Sequence, residues 1–543
     1  MSTLPLLEVR DLSIRFPGRN GLVRAVERVS WKVEAGQTLA ILGESGSGKS
    51  VSASAVMGLV DAPPAVIASG QILFEGHDLL RVTPTERRRI NGSSIAMIFQ
   101  DPLAALNPVY PVGRQIAEAM RVHGVDAQTA RRRVVELLER VGIPEPERRM
   151  RDYPHQFSGG QRQRIMIAAA IALAPRLLIA DEPTSALDVT VQAQVLDLLK
   201  DIRRDSGMAL VIITHDLGVV ERIADDVVVM QGGEVVERGT RQAVMHSPRH
   251  PYTQRLLAAV PGQGVAESAK NAADGSVRPL LSVRNVSKRY FGRPPMLSRR
   301  PQPVFTALDG ASFDLHRGET LGIVGESGSG KSTLVRILLG LDAPTEGQIA
   351  FEGRDIASLS EVELKALRRR VQCVFQDPTA SLNPRMRVGE IIAEPFAIHK
   401  GVLEPVRGPA RVAELLELVG LKAEHAERFP HQFSGGQRQR IAIARAIALR
   451  PDLVVCDEAV SALDVSVQAQ VIDLLKRLQR EFGLAYVFVA HDLALVRDFA
   501  TRVAVMYRGR IVEQGSTEEV YGRPRDDYTR RLLRASGLTA AQS

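Results

Sequence analysis

The octet GESGSGKS occurs twice in this chain, at residues 43–50 and again at 325–332, and each copy opens the same ordered series of motifs. Both octets fit the pattern G-x-x-x-x-G-K-[ST]. Its glycines let backbone N–H groups close around phosphate, its lysine reaches the outer phosphates, and its last hydroxyl serves Mg²⁺. The first cradle is Gly43, Glu44, Ser45, Gly46, Ser47, Gly48, Lys49 and Ser50, and the second is Gly325, Glu326, Ser327, Gly328, Ser329, Gly330, Lys331 and Ser332. A duplicated ATPase is implied.

The duplication keeps register over most of its length. Gln100 and Gln376, Ser158 and Ser434, Glu182 and Glu458, and His215 and His491 are each 276 residues apart, whereas Gly43 and Gly325 are 282 apart. The six-residue difference falls chiefly where the first half reads DAPPAVIASG and the second DAPTEG, which predicts a longer surface turn in the first half.

At 543 residues, two units of about 250 residues are each large enough for a core of their own. The longest apolar run, 165–174, falls short of the ~18 residues a membrane span needs, and residues 1–10 lack a signal-peptide pattern. A soluble, intracellular chain is expected. The two cysteines, Cys373 and Cys456, lie in apolar runs that read as buried strands, not a disulfide or metal framework, and a reducing compartment fits. The net charge of +8 is spread over both halves without aromatic interleaving, so a solvated basic surface is favoured over a nucleic-acid footprint.

Residues 6–15 and 280–289 read as matching opening strands, each followed by another strand, the glycine loop and a helix. The later runs LLIAD, LVVCD, LVIITH and YVFVAH are short and continuously apolar, as in a parallel sheet covered on both faces. Around 112–141 and 388–419 the apolar positions recur at helical spacing, predicting an inserted helical subdomain. Residues 262–279 are small and polar and read as a linker, and 291–302, with its prolines and arginines, reads as an exposed loop.

Gln100 and Gln376 close the FQDP runs, and the apolar strands end in the pairs Asp181-Glu182 and Asp457-Glu458. At the carboxyl edge of a doubly wound sheet the first carboxylate can hold Mg²⁺, leaving the second to orient or deprotonate water. His215 and His491 end the next strands and are read as contacts to the terminal phosphate. Ser158, Gly159, Gly160 and Gln161, and likewise Ser434, Gly435, Gly436 and Gln437, start long helices and make a second anion site in each half. A merely capped helix leaves both glycines unexplained.

The series GESGSGKS, FQDP, FSGGQ, DE, SALD and strand-end histidine resembles the ATP-binding cassette (ABC) ATPases, twice over nearly the whole chain. The resemblance implies an α/β fold of two tandem cassettes, each with a mostly parallel core sheet, an early antiparallel β part and a helical insert. Cassettes at 6–261 and 280–535 are expected, with ATP and Mg²⁺ as cofactors. Glu182, His215, Glu458 and His491 take the catalytic roles, and Ser50, Gln100, Asp181, Ser332, Gln376 and Asp457 the Mg²⁺ ones. Phe16 and Tyr290 become adenine platforms. Head-to-tail packing pairs Lys49 with Ser434 and Lys331 with Ser158, so that each nucleotide site forms between the halves.

A narrower resemblance lies in QDPLAALNP and QDPTASLNP, in the YPHQFSGG and FPHQFSGG approaches, and in the tails HPYTQRLLAAVP and DDYTRRLLRA. These are similar to dipeptide, oligopeptide and nickel importer ATPases in fused form. The implied partners are two transmembrane permeases and a periplasmic or lipoprotein solute-binding protein, with this chain at the cytoplasmic face of the inner membrane and no nucleic acid. His155 and His431 match that family's loop, so no metal site is assigned there. The absence of a cysteine cluster after HPYT gives no support to an iron–sulfur site. Two departures separate the halves: Ala459-Val460 replaces Pro183-Thr184, and Val51 stands where Thr333 offers a hydroxyl. Nothing essential is missing from either half, and two hydrolytic sites are expected. The competing class is a soluble tandem cassette acting on ribosomes or DNA, but the long charged linker or zinc cysteines expected of it do not occur.

Overall fold

In each half the strand leading into the phosphate loop lies inside a six-stranded sheet, flanked on both sides by parallel neighbours. In the first half the order is Glu234–Thr240, Asp226–Gln231, Thr38–Leu42, Ala209–Thr214, Leu177–Asp181, Ile95–Ile98. Every pairing is parallel except the first, a hairpin. The second half repeats this with Arg510–Ser516, Arg502–Tyr507, Thr320–Val324, Ala485–Val489, Leu453–Asp457 and Val371–Val374. Thr38–Leu42 and Ala485–Val489 are buried at every position, which explains their unbroken apolar runs: both faces are covered, one of them in part by the antiparallel sheet, so no residue alternates outward.

The computed structural model describes residues 4–18, 21–60, 63–185, 187–258, 278–291, 304–402, 408–461 and 463–538. The chain divides into two compact units, the first built from described residues of 1–187 and 191–259, the second from those of 188–190 and 260–543. Most of the linker expected at 262–279, and the loop expected at 291–302 beyond Phe291, lie outside the described residues.

The opening strands belong to a second, antiparallel sheet. Leu7–Gly18 lies between Gly21–Val33 and Val66–Phe74, and Leu281–Phe291 between Val304–Leu315 and Glu346–Phe351. Here the structure corrects the expectation of a longer surface turn. Pairing with the opening strand continues to Arg15↔Val66 in the first half but stops at Ser287↔Glu346 in the second. The added residues therefore lengthen a strand, because Val66 and Ile67 favour extended backbone and find a partner edge.

The helical inserts are Val112–Val122 and Ala127–Arg140 in the first half, and Val388–Ile398 and Gly408–Leu418 in the second. Their buried faces carry Val112, Ile116, Met120, Val134, Leu137 and Leu138, recurring at the spacing that marks one side of a helix. In the second half Tyr486 and Phe488 are fully buried and meet Phe499, Phe488 edge-on at 5.0 Å. Each such ring adds about 1.5–3 kcal/mol of burial. Cys456 is buried and Cys373 partly so, both as free thiols; burial pushes both thiols up, Cys456 to about 12.

The second unit joins its two sheets through charge. Arg370, at the end of helix Glu361–Arg370, reaches Glu352 at 2.6 Å and Asp452 at 2.5 Å, and Arg317 bridges the same two carboxylates. Glu352 follows an antiparallel strand and Asp452 precedes a core strand. Arg370 first, then Arg317, hold the Glu352 carboxyl down from 4.5 to about 2. A depressed carboxyl stabilises the fold above its unfolded value and loses that contribution as pH falls. Since these side chains are about half exposed, Glu352→Gln should cost about 1 kcal/mol or less above pH 5. The difference in melting temperature from the parent should vanish between pH 4.5 and 2.

Candidate active site

Both phosphate loops bend through glycines that occupy left-handed backbone. Gly46 and Gly48 have φ of 79° and 94°, and Gly328 and Gly330 have 78° and 104°. The helices Lys49–Met57 and Lys331–Leu338 start directly after these turns, so their first N–H groups face the loop. The lysines fold back over it. Lys49 Nζ donates to the carbonyls of Gly43 and Glu44 at 2.7 Å each, and Lys331 Nζ to those of Gly325 and Glu326 at 2.6 and 2.9 Å. Both lysines are buried. Burial lowers the Lys331 ammonium, while Glu458 and other nearby carboxylates oppose that shift.

The residues fit a nucleotide with its cation. Ser50 Oγ donates to Asp181 Oδ1 at 2.9 Å, pairing two hard oxygen donors where a Mg²⁺ that also binds phosphate would be held. Burial raises the carboxyl of Asp181, and of Asp457, above its ordinary value, a cost that a cation relieves. Ser329 Oγ is buried in the second loop with no hydrogen-bond partner among the described residues. No cluster of three His, Cys, Asp or Glu able to hold a metal occurs among the described residues.

Glu182 is fixed at both oxygens. Gln100 Nε2 donates to Oε2 at 2.8 Å, and His215 Nδ1 lies 3.0 Å from Oε1. Its own backbone is left-handed, φ 45°, and its N–H bonds to the Ile213 carbonyl at 2.9 Å, turning the side chain off the strand end. Glu458 repeats this with φ 47°, an N–H bond to Val489 and Gln376 at 2.8 Å, but His491 Nδ1 stands 3.8 Å away. Burial pushes the Glu182 carboxyl up, yet His215 and the neighbouring donors prevail and its net shift is downward; Glu458 is lowered chiefly by His491. His491 is raised by Glu458 against the opposing effect of its burial. An ionised, oriented carboxylate next to a phosphate loop can take a proton from water.

Ser158 and Ser434 cap the helices Gly159–Ala170 and Gly435–Ile447, each hydroxyl accepting the N–H of the glutamine three residues on. The two glycines that follow differ in their reasons. A Cβ on Gly160 would come 2.4 Å from Val191, and one on Gly436 the same distance from Val467, so helix packing alone requires these two. Gly159 and Gly435 meet nothing closer than 3.7 Å. The expectation that a capped helix leaves both glycines unexplained thus holds for only one of each pair.

Phe16 is partly buried against the first core, whereas Tyr290 is exposed and donates to Asp342 at 3.1 Å. Thr333 is partly buried at the start of its helix. Sequence reasoning missed one pair of residues. Glu44 N–H donates to the hydroxyl of Tyr252 at 3.2 Å and Glu326 N–H to that of Tyr528 at 3.1 Å. The signal was available: the two tyrosines are also 276 residues apart.

The ABC transporter family model matches residues 26–185 and 308–461. The chain belongs to the ABC transporter family. It carries two of that family's ATPase cassettes. A second model, described as the oligopeptide/dipeptide transporter C-terminal region, matches residues 236–296. Glutathione import ATP-binding protein GsiA of Pectobacterium atrosepticum is 47% identical, over 98% of this chain and 89% of its own length. Peptidoglycan transport ATP-binding protein YejF of Agrobacterium fabrum is 48% identical, over 98% of this chain and 97% of its own. Among solved structures, the dimeric post-hydrolysis cassette MJ0796 bound to ADP and Pi is 31% identical, with a TM-score of 0.39, covering 44% of this chain and 98% of that one.

Glu182→Gln with Glu458→Gln should preserve ATP binding, since the loops are untouched. Turnover should fall at least about a hundredfold, because an amide keeps the hydrogen bond to glutamine but cannot accept the proton. Steady-state phosphate release alongside equilibrium nucleotide binding measures both; substantial turnover by the double variant would remove these carboxylates from the mechanism.

Proposed function

We propose that this ABC ATPase powers the import of peptide-class solutes through separate permease subunits at the cytoplasmic face of the inner membrane. The observation that carries this reading is the relatedness of the whole chain, at 47–48% identity, to proteins named for glutathione import and peptidoglycan transport. Both solutes contain peptide linkages. The match of the first tail to the oligopeptide/dipeptide model points the same way. No helix among the described residues is long and apolar enough to cross a membrane, and in this reading the conducting path belongs to the permease subunits.

In this reading the cassettes span 6–261 and 280–535 with a linker at 262–279. Each nucleotide lies between one half's phosphate loop and the other's capped serine, Lys49 with Ser434 and Lys331 with Ser158. The exposure of Ser158 and Ser434 at helix starts supports that assignment, because their surroundings leave room for phosphate. Ser50, Gln100 and Asp181 would hold one Mg²⁺, and Ser332, Gln376 and Asp457 the other. Phe16 and Tyr290 would take the adenines. Lys49 and Lys331 neutralise the outer phosphates, and Glu182 and Glu458 accept the proton of the attacking water, leaving ADP and phosphate. Closure on ATP and reopening after hydrolysis would move permease helices seated near Gln100 and Gln376. A solute-binding protein would deliver the cargo.

Two experiments test this. Residues 1–262 and 280–543, expressed separately, should be poor ATPases and recover activity when mixed; full activity from either dilute, monomeric half overturns the shared site. Co-purification with the permeases encoded by neighbouring genes, followed by ATP-dependent peptide uptake into vesicles supplied with the binding protein, should succeed. Association with ribosomes or DNA and with no permease would favour a soluble factor.

A further inference from the structure

We propose that Tyr252 and Tyr528 are positioning residues of the two phosphate loops, through which the C-terminal tail of each half sets ATP affinity. The proposal rests on the reading of residues 43–50 and 325–332 as nucleotide loops. The tail helices Pro251–Ala258 and Asp527–Ala535 carry these tyrosines, each ring 5% exposed. Each hydroxyl accepts the backbone N–H of the second loop residue, Glu44 or Glu326, across 208 and 202 positions of chain. A contact of that range made twice at the same register is a built feature of the repeat.

The tail is anchored before it reaches the loop. Glu237, on the strand Glu234–Thr240, accepts the N–H of Arg249 at 2.7 Å and of His250 at 3.1 Å, fixing the entry to the tail helix. Glu513 accepts the N–H of Arg525 and Asp526 at the same two distances, and Asp526 then caps Tyr528 N–H at 2.8 Å. Tyr528 also stacks on Tyr507, centroids 4.2 Å apart, so its ring has little freedom. The hydroxyl is thereby presented by a rigid support.

The consequence follows from what else Glu44 and Glu326 hold. The N–H of each goes to tyrosine, while its carbonyl accepts from Lys49 or Lys331 at 2.7 and 2.9 Å. Rotating that one residue would displace the lysine's rest position together with the first turn of the cradle. Glu182, Gln100 and His215 follow the ends of other strands and gain nothing from the tyrosine. Loss of the hydroxyl should therefore weaken nucleotide binding and spare the chemical step, a change in KM at nearly constant kcat.

Tyr252→Phe with Tyr528→Phe in the full chain removes both hydroxyls and keeps both rings. The dissociation constant of a fluorescent ATP analogue should rise about three- to tenfold, as expected for one hydrogen bond per site, with KM rising in parallel and kcat changing less than about twofold. The melting temperature without nucleotide should move by less than about 2 °C, whereas the stabilisation by Mg-ATP should shrink. Each single Tyr→Phe variant should split the binding isotherm into a tight and a weak phase. Unchanged affinity in the folded double variant, or a fall in kcat at constant KM, overturns the proposal. Lys49→Ala with Lys331→Ala separates the two layers of argument. Binding that survives this change overturns the loop reading itself, while binding lost there but unaltered by the tyrosine changes overturns only the role of the tail.

Discussion

Each phosphate loop is clamped by backbone from two sheets, and the rest of each half is arranged around that clamp. A Cβ on Gly43 would lie 2.3 Å from the Met230 carbonyl oxygen of the core sheet, and one on Gly48 2.4 Å from the Ala25 carbonyl of the antiparallel sheet. The hairpin glycine Gly233 ties the two sides together, donating to Ser47 O at 3.2 Å and accepting from Glu27 N–H at 2.8 Å. Met506, Ala307, Gly509, Ser329 and Asp309 repeat the set in the second half. No side chain can intervene at these approaches, so glycine is fixed by sterics. The antiparallel sheet thus shapes the loop itself: remove its contact and Gly48 loses the wall that bends the loop into its helix.

A clamped loop gives adjacent carboxylates unlike environments. Asp181 points back toward Ser50 and is buried, so desolvation raises it; Glu182, one residue on, leaves the strand in left-handed backbone and meets Gln100 and His215, which lower it. Alternation along a strand would have sent the two side chains to opposite faces of the sheet. Ending the strand at Asp181 and turning the next residue through φ 45° instead brings both to its edge, one suited to a cation and the other to a proton.

The sequence made the backbone chemistry legible and the long-range contacts illegible. Gly46, Lys49 and Ser50 are readable because one short turn dictates all three, and the strands Leu177–Asp181 and Leu453–Asp457 because burial on both faces leaves continuous apolar runs. The helical inserts were readable from the period of Ile116, Met120, Val134 and Leu138, as was family membership from the order of the motifs. By contrast, the role of Val66 and Ile67 depended on an open edge on Leu7–Gly18, which no local pattern reveals. The need for Gly160 depended on Val191, thirty-one residues away. Tyr252 was more distant still, and its partner is a backbone N–H, which carries no side-chain signature.

The differences between the halves can be weighed by where they fall. Ala459 and Val460 replace proline and threonine, yet both are buried in the second core at 3% and 1% exposure, as Pro183 and Thr184 are buried in the first. The turn they belong to is unchanged: Ser185 Oγ donates to Glu182 O and Ser461 Oγ to Glu458 O, each at 2.9 Å. That substitution alters packing behind the carboxylate and leaves its placement intact. The difference that reaches the strand-end carboxylate is the histidine, 3.0 Å from Glu182 but 3.8 Å from Glu458. A hydrogen bond orients a carboxylate, whereas an ion pair at 3.8 Å only biases its charge. If Glu182 and Glu458 hold the proposed role of proton acceptor, two sites with the same donors but unequal restraint on that group should differ in rate before either differs in affinity.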